Sequence, residues 1–153
     1  MNIFIIEDDL LKLKKIEDFL YSMLPDAILN NYGSFNSGLR ACENSSPDLV
    51  ILDMALPTFD RQPNKREGRL RPLGGYDLLR KFSLKDLSTK AIVVTQLTEF
   101  GDGVEEMSFG EISQICLDEF PEIFLGSVYF GQASLEWQNK LQDLILKFQG
   151  ELA

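Results

Sequence analysis

Four short runs along the chain are apolar at almost every position: "NIFII" at 2–6, "LVIL" at 49–52, "AIVVT" at 91–95 and "IFLGSVYF" at 123–130. Continuous runs of this length, rich in branched residues, have the pattern of strands covered on both faces. "AILNNY" at 27–32 is a weaker fifth candidate. Between the strands the period changes. In "LLKLKKIEDFLYSML", Leu10, Leu13, Ile16, Phe19, Leu20 and Met23 recur at helical spacing with lysines between them, and Pro25 ends the segment. Ser34 is placed to cap a short second helix. Gly74 and Gly75 open a third, "YDLLRKFSLK", whose Leu78, Leu79 and Phe82 can face a sheet. An amphipathic stretch from about Ser108 to Phe120 predicts the fourth, and "SLEWQNKLQDLILKF", with Ser134 as its cap, the last.

The order is strand then helix, five times over. That alternation predicts an α/β fold with a doubly wound, five-stranded parallel sheet, because right-handed crossovers place helices on both faces. Two segments break the pattern. "TFDRQPNKREGRLRPLGG", at 58–75, carries Arg61, Lys65, Arg66, Arg69 and Arg71, five of the fifteen basic residues, with two prolines and no periodicity, and reads as a long loop. "QLTEFGDGVEEM" reads as a second loop.

A chain of 153 residues is the size of one domain, so 1–153 is expected to form a single unit with no separate output domain. No apolar run has the length of a membrane span, and "MNIFIIEDD" reaches acids too early for a signal peptide, which together suggest a cytoplasmic protein. The net charge of −9 argues against direct nucleic-acid binding. With no histidine, and with Cys42 and Cys116 isolated, the usual zinc sites and imidazole-dependent catalysis are excluded. The two cysteines are expected as buried, reduced thiols.

The chemistry lies at the strand ends. Glu7 and Asp8 follow the first apolar run, Asp53 follows "LVIL", and Thr95 closes "AIVVT". In an open parallel sheet ligands bind at the carboxyl ends of strands, at the point where strand order reverses. Bringing three carboxylates together there creates repulsion on the order of 4 kcal/mol per pair at ~4 Å and an effective dielectric near 20. Such a cluster needs a cation. Magnesium suits it, since it takes a few carboxylates plus water and phosphate oxygens. Those parts fit phosphoryl transfer to a carboxylate, with Asp53 as nucleophile and Thr95 as a hydrogen-bonding hydroxyl. Each residue also has a plainer role open to it: Asp53 as a turn residue, Thr95 as a β-branched strand residue, and Asp9 as a helix cap.

"IFIIEDD", "PDLVILDMALP", "GGYDLL" and "AIVVTQ", in this order, resemble the receiver domain of bacterial two-component response regulators. The resemblance covers nearly the whole chain and is strongest over residues 2–96. It implies a (βα)5 flavodoxin-like fold with strand order 2-1-3-4-5. Glu7 and Asp8 would be the acidic pair, Asp53 the phosphoacceptor and Thr95 the switch hydroxyl. A third metal contact would come from the backbone carbonyl of Ala55, and Pro57 matches the family's proline in the following loop. The cofactor would be Mg2+. The partners would be a histidine kinase or phosphotransfer protein and a downstream protein, with a possible homodimer through the fourth helix, fifth strand and fifth helix. Trp137 lies on that last helix as an anchor or as a core residue, and Tyr129 matches the family's aromatic switch residue or is a core tyrosine.

One position departs from the family. Receivers carry a lysine at the end of the fifth strand, whereas "VYFGQAS" here offers Gly131 or Gln132, and no lysine occurs between Lys90 and Lys140. Either the chain is still phosphorylated, with a loop cation such as Lys65 or Arg66 standing in, or it is a pseudo-receiver that binds partners regardless of phosphorylation. Any enzymatic activity would be limited to self-phosphorylation and autodephosphorylation. A magnesium phosphohydrolase is disfavoured because Ala55 stands where such enzymes place a second aspartate.

Overall fold

The structure is a computed structural model that describes residues 1–61, 69–101 and 106–152. Five parallel strands form its centre: β1 (Asn2–Ile6), β2 (Ile28–Tyr32), β3 (Leu49–Leu52), β6 (Lys90–Thr95) and β9 (Phe124–Tyr129). Their order is β2-β1-β3-β6-β9, so the chain runs outward to one edge and then reverses past β1. This is the doubly wound order expected from the sequence, with the switch point between β1 and β3.

Alternate residues of each central strand feed opposite cores. Ile3, Ile5, Leu49, Ile51, Ile92 and Val94 pack with α1 (Leu10–Met23) and α5 (Glu136–Leu152). Phe4, Ile6, Val50, Leu52, Ala91 and Val93 pack on the other face, with α2 (Phe35–Ser45), α3 (Gly74–Leu84) and α4 (Phe109–Glu119). Burial on both faces is why these strands read as unbroken apolar runs. β2 is an edge strand and only partly buried, which accounts for its weaker signal.

The helix starts follow local capping chemistry. Asp9 accepts from the backbone N–H groups of Leu11 and Lys12, Ser34 from Ser37, and Ser108 from Glu111. Ser134 Oγ accepts from the N–H of Glu136 at 3.4 Å. Gly75 is required by close approach: a Cβ there would lie 2.8 Å from the Asp53 carbonyl oxygen and 3.0 Å from Met54 Cα. Its N–H donates to Met54 O at 2.8 Å, tying the start of α3 to the loop after β3.

Several details differ from the sequence expectations. The segment from 58 to 75 is bounded by a small antiparallel pair, β4 (Leu56–Pro57) with β5 (Leu70–Arg71). A second pair, β7 (Glu99–Phe100) with β8 (Met107–Ser108), brackets the other loop. Pairs of two residues per strand are too short for periodicity to reveal. Leu10 is 75 % exposed and does not join the apolar stripe of α1. Trp137 is buried against Phe130 and Phe19, with ring centroids 4.8 Å and 5.5 Å away, so it is a core residue and not a surface anchor. Tyr129 is 48 % exposed, edge-on to Phe109, and is not a core tyrosine. Cys42 and Cys116 are buried and unbridged, as expected.

Candidate functional site

Asp53 directly follows β3, and its backbone N–H donates to Ile6 O at 3.1 Å, extending the ladder with β1 by one rung. Glu7 directly follows β1, and its N–H donates to Tyr32 O at 2.9 Å. The two carboxylates are thus held by neighbouring strands at their carboxyl ends. Both are buried, Glu7 at 3 % exposure and Asp53 at 8 %.

Between them lies a cation that the sequence pattern did not reveal. Lys12, on the first turn of α1, is 2 % exposed. Its Nζ is 2.9 Å from Glu7 Oε2, 3.0 Å from Asp53 Oδ2 and 2.8 Å from the carbonyl oxygen of Val94. An ammonium has three N–H bonds, and here each has an acceptor. A buried charge is tolerated only when it is paired and hydrogen-bonded in this way. The other carboxylate oxygens are occupied by backbone donors: Glu7 Oε1 accepts from the N–H of Asp9 at 3.1 Å, and Asp53 Oδ1 from that of Met54 at 2.7 Å.

Lys12 belongs to the same helical row as Ile16 and Leu20, both buried. That i, i+4 spacing was the available signal. A lysine on an apolar row usually lays its stem on the core and carries its ammonium to water, so the pattern alone does not announce an internal charge.

Asp8 sits at the edge of the site, half-buried, with Oδ2 3.2 Å from Arg61 of the basic segment. Lys65 and Arg66 lie outside the described residues. Thr95 is buried at the end of β6, adjacent to the Val94 carbonyl that receives Lys12, and its Oγ1 accepts from the N–H of Leu97 at 3.2 Å. Ala55 is half-buried in the turn two residues after Asp53. Neither Gly131 nor Gln132 supplies a charge, and the Gln132 amide instead contacts Gln96 at 3.5 Å.

Burial pushes the Glu7 carboxyl up from 4.5 to about 8; Lys12 opposes that rise and the Asp53 charge adds to it. Asp8 is also raised, by burial first, with Arg61 opposing. The donor set of Glu7, Asp8, Asp53 and a carbonyl is all oxygen, the right chemistry for magnesium. In this arrangement, however, the Lys12 ammonium fills the space between Glu7 and Asp53, and Asp8 is turned to Arg61. Among the described residues no cluster of three or more acidic, cysteine or histidine side chains is arranged to hold a metal.

No protein-family model matches the chain. Solved structures do. The signal receiver domain of an HD domain-containing protein from Pseudomonas fluorescens Pf-5 aligns over 98 % of this chain and 94 % of its own, with TM-score 0.63 and 17 % identity. The receiver domain of a sensor histidine kinase from Pseudomonas aeruginosa PAO1, which has a magnesium ion coordinated in its active site cleft, aligns over 97 % of both chains with TM-score 0.59 and 16 % identity. The fold is that of a response-regulator receiver domain. Two curated proteins are similar in sequence to this chain along nearly their whole length. Detocs response regulatory protein DtcB of Enterobacter cloacae (strain JD6301) is 28 % identical over 143 residues, 92 % of this chain and 95 % of that protein. Protein y4jR of Sinorhizobium fredii (strain NBRC 101917 / NGR234) is 26 % identical over 144 residues, 94 % of this chain and 95 % of that protein. No helix among the described residues of the receiver fold is long and apolar enough to cross a membrane.

Proposed function

We propose that this chain is a response-regulator receiver in which Asp53 accepts a phosphoryl group from a histidine kinase or phosphotransfer protein, and that a protein partner reads the result. The observation that carries the reading is the position of Asp53. It is the one carboxylate directly following the central strand β3, at the switch point of a receiver fold, beside Glu7 of the neighbouring strand. The similarity to a response regulatory protein over most of the chain supports it.

In the proposed step an Asp53 carboxylate oxygen attacks the phosphorus of a phosphohistidine. The O–P bond forms as the N–P bond breaks, and the imidazole leaves with the electron pair and takes up a proton. Magnesium, when bound through Glu7, Asp8, Asp53 and the Ala55 carbonyl, would neutralise charge on the transferring group. Thr95 is the hydroxyl proposed to turn toward a phosphoryl oxygen, releasing the N–H of Leu97 that it now accepts. Hydrolysis of the acyl phosphate would return the domain to its starting state.

The test is intact-mass spectrometry after incubation with acetyl phosphate. One phosphoryl group on the wild type and none on Asp53→Ala supports the reading, and an unmodified wild type overturns it. A second reading, a phosphorylation-independent interaction module, is favoured by the ion pair that already occupies Asp53 Oδ2.

A further inference from the structure

The acceptor role of Asp53 leaves one chemical requirement open. Transfer turns a singly charged carboxylate into an acyl phosphate whose phosphoryl oxygens carry more negative charge, in a site where Asp53 is 8 % exposed and Glu7 3 %. Buried charge of that kind has to be met by a cation. The end of the last strand offers none, because Phe130, Gly131 and Gln132 are uncharged. Arg61, at the rim, is largely exposed and turned to Asp8. Among the described residues, the cation in hydrogen-bond contact with Asp53 is Lys12, whose Nζ lies 3.0 Å from Oδ2. It arrives from α1, yet it ends beside the last strand, 6.0 Å from the ring centroid of Phe130, the residue that follows β9.

We propose that Lys12 is the charge-stabilising residue of phosphoryl transfer in this chain, a cation delivered to the acceptor by the first turn of α1. In the step, an Asp53 oxygen bonds to phosphorus as the bond from phosphorus to the donor breaks, and the leaving group departs with that electron pair. Whichever Asp53 oxygen reacts, the carboxylate loses its charge and becomes a weaker acceptor. The phosphoryl oxygens become the stronger ones. The Lys12 hydrogen bond to Oδ2 therefore passes to a phosphoryl oxygen, while those to Glu7 Oε2 at 2.9 Å and Val94 O at 2.8 Å hold the ammonium in place for the exchange. Lys12 stays protonated throughout and transfers no proton. Its effect is differential: negative charge beside it grows during transfer, so the ammonium stabilises the transition state more than the resting carboxylate.

The inference rests on Asp53 as acceptor and names the residue that assists it. Its test is a time course of intact mass under acetyl phosphate, from which acetate leaves as the phosphoryl group moves to Asp53, at one fixed magnesium concentration. Wild type is compared with Lys12→Met, Lys12→Arg and Leu20→Ala, each rate divided by the folded fraction from circular dichroism. Methionine keeps an unbranched stem without the charge, arginine keeps the charge, and Leu20 is a buried residue further along α1 whose truncation weakens the same helix. Lys12→Met is expected to gain the adduct about tenfold or more slowly than wild type, as when one charge-stabilising donor is lost, with Lys12→Arg and Leu20→Ala within about threefold of wild type. A Lys12→Met rate equal to wild type overturns the assignment. So does Leu20→Ala or Lys12→Arg slowed as much as Lys12→Met, which traces the loss to stability or to shape instead of charge. Where Lys12→Met does not fold, the side-chain ammonium resonance of wild-type Lys12 decides. It is expected to shift on phosphorylation while that of exposed Lys14 does not, and an unmoved Lys12 resonance overturns the assignment. The two readings fail distinguishably. A wild type that stays unmodified removes the acceptor role and Lys12's part in it, whereas a modified wild type matched by Lys12→Met keeps the acceptor and removes Lys12.

Discussion

The Nζ of Lys12 lies 3.0 Å from Oδ2 of Asp53, a buried ion pair between residues forty-one positions apart in the chain. It joins the first turn of α1 to the end of the central strand. Because Glu7 shares the same ammonium, three side chains from three elements are fixed by one hydrogen-bonded cation.

Breaking such a pair from one side leaves buried charge uncompensated. Lys12→Met is expected to cost about 3–5 kcal/mol in metal-free buffer. For a domain of this size that corresponds to a fall in melting temperature of roughly 10 °C. Thermal denaturation followed by circular dichroism reads it directly. A loss below about 1 kcal/mol would mean that the ammonium is not held internally in solution.

Glu7 sets a pH dependence. Its carboxyl is raised from 4.5 to about 8, by burial first, while Lys12, the Asp53 charge and the N–H of Asp9 face it. The native state therefore keeps a proton that the unfolded chain has released, and stability falls as pH rises from about 4.5 to about 8. Glu7→Gln cannot lose that proton, so its stability should be flatter over the same window and should exceed wild type at the alkaline end. Urea denaturation midpoints at intervals across the window test this, and parallel wild-type and mutant curves would contradict it.

Gly75 couples the fold to the site. A methyl group there meets the backbone of Asp53 and Met54 at 2.8 Å and 3.0 Å, where no flexible side chain can give way. Gly75→Ala is expected to destabilise by about 1–3 kcal/mol, the range for overpacking. It should also shift the amide resonances of Asp53 and Met54 more than those of β9.

Trp137 provides a contrast. It is buried with Phe19 and Phe130, so Trp137→Ala should cost about 3–5 kcal/mol of stability. A variant as stable as wild type would refute the packing.

The central strands were legible because burial on both faces writes itself as continuous apolar residues; "LVIL" ends at Leu52 and the carboxylate of Asp53 follows at once. The doubly wound parallel sheet followed from the alternation of elements, its strand order from the resemblance to receiver domains, and the helix starts from Asp9, Ser34 and Ser108. The need for a cation was legible too, from three acids brought to one end of the sheet. Its source was not. Lys12 sits on the row of Ile16 and Leu20, where charged residues normally reach solvent, and only tertiary structure shows that its ammonium is enclosed. The apolar stripe of α1 holds at Leu13, Ile16 and Leu20, and departs from the hydrophobic pattern at its first turn, where Leu10 is exposed and Lys12 is buried.

The most direct test of the account is intact-mass spectrometry of wild type and Asp53→Ala after exposure to acetyl phosphate, with and without magnesium. The account predicts a single phosphoryl adduct on the wild type that requires magnesium, is removed by hydroxylamine as an acyl phosphate should be, and is absent from Asp53→Ala. A folded wild-type protein that remains unmodified at saturating magnesium would contradict it and leave a receiver fold that works through binding alone.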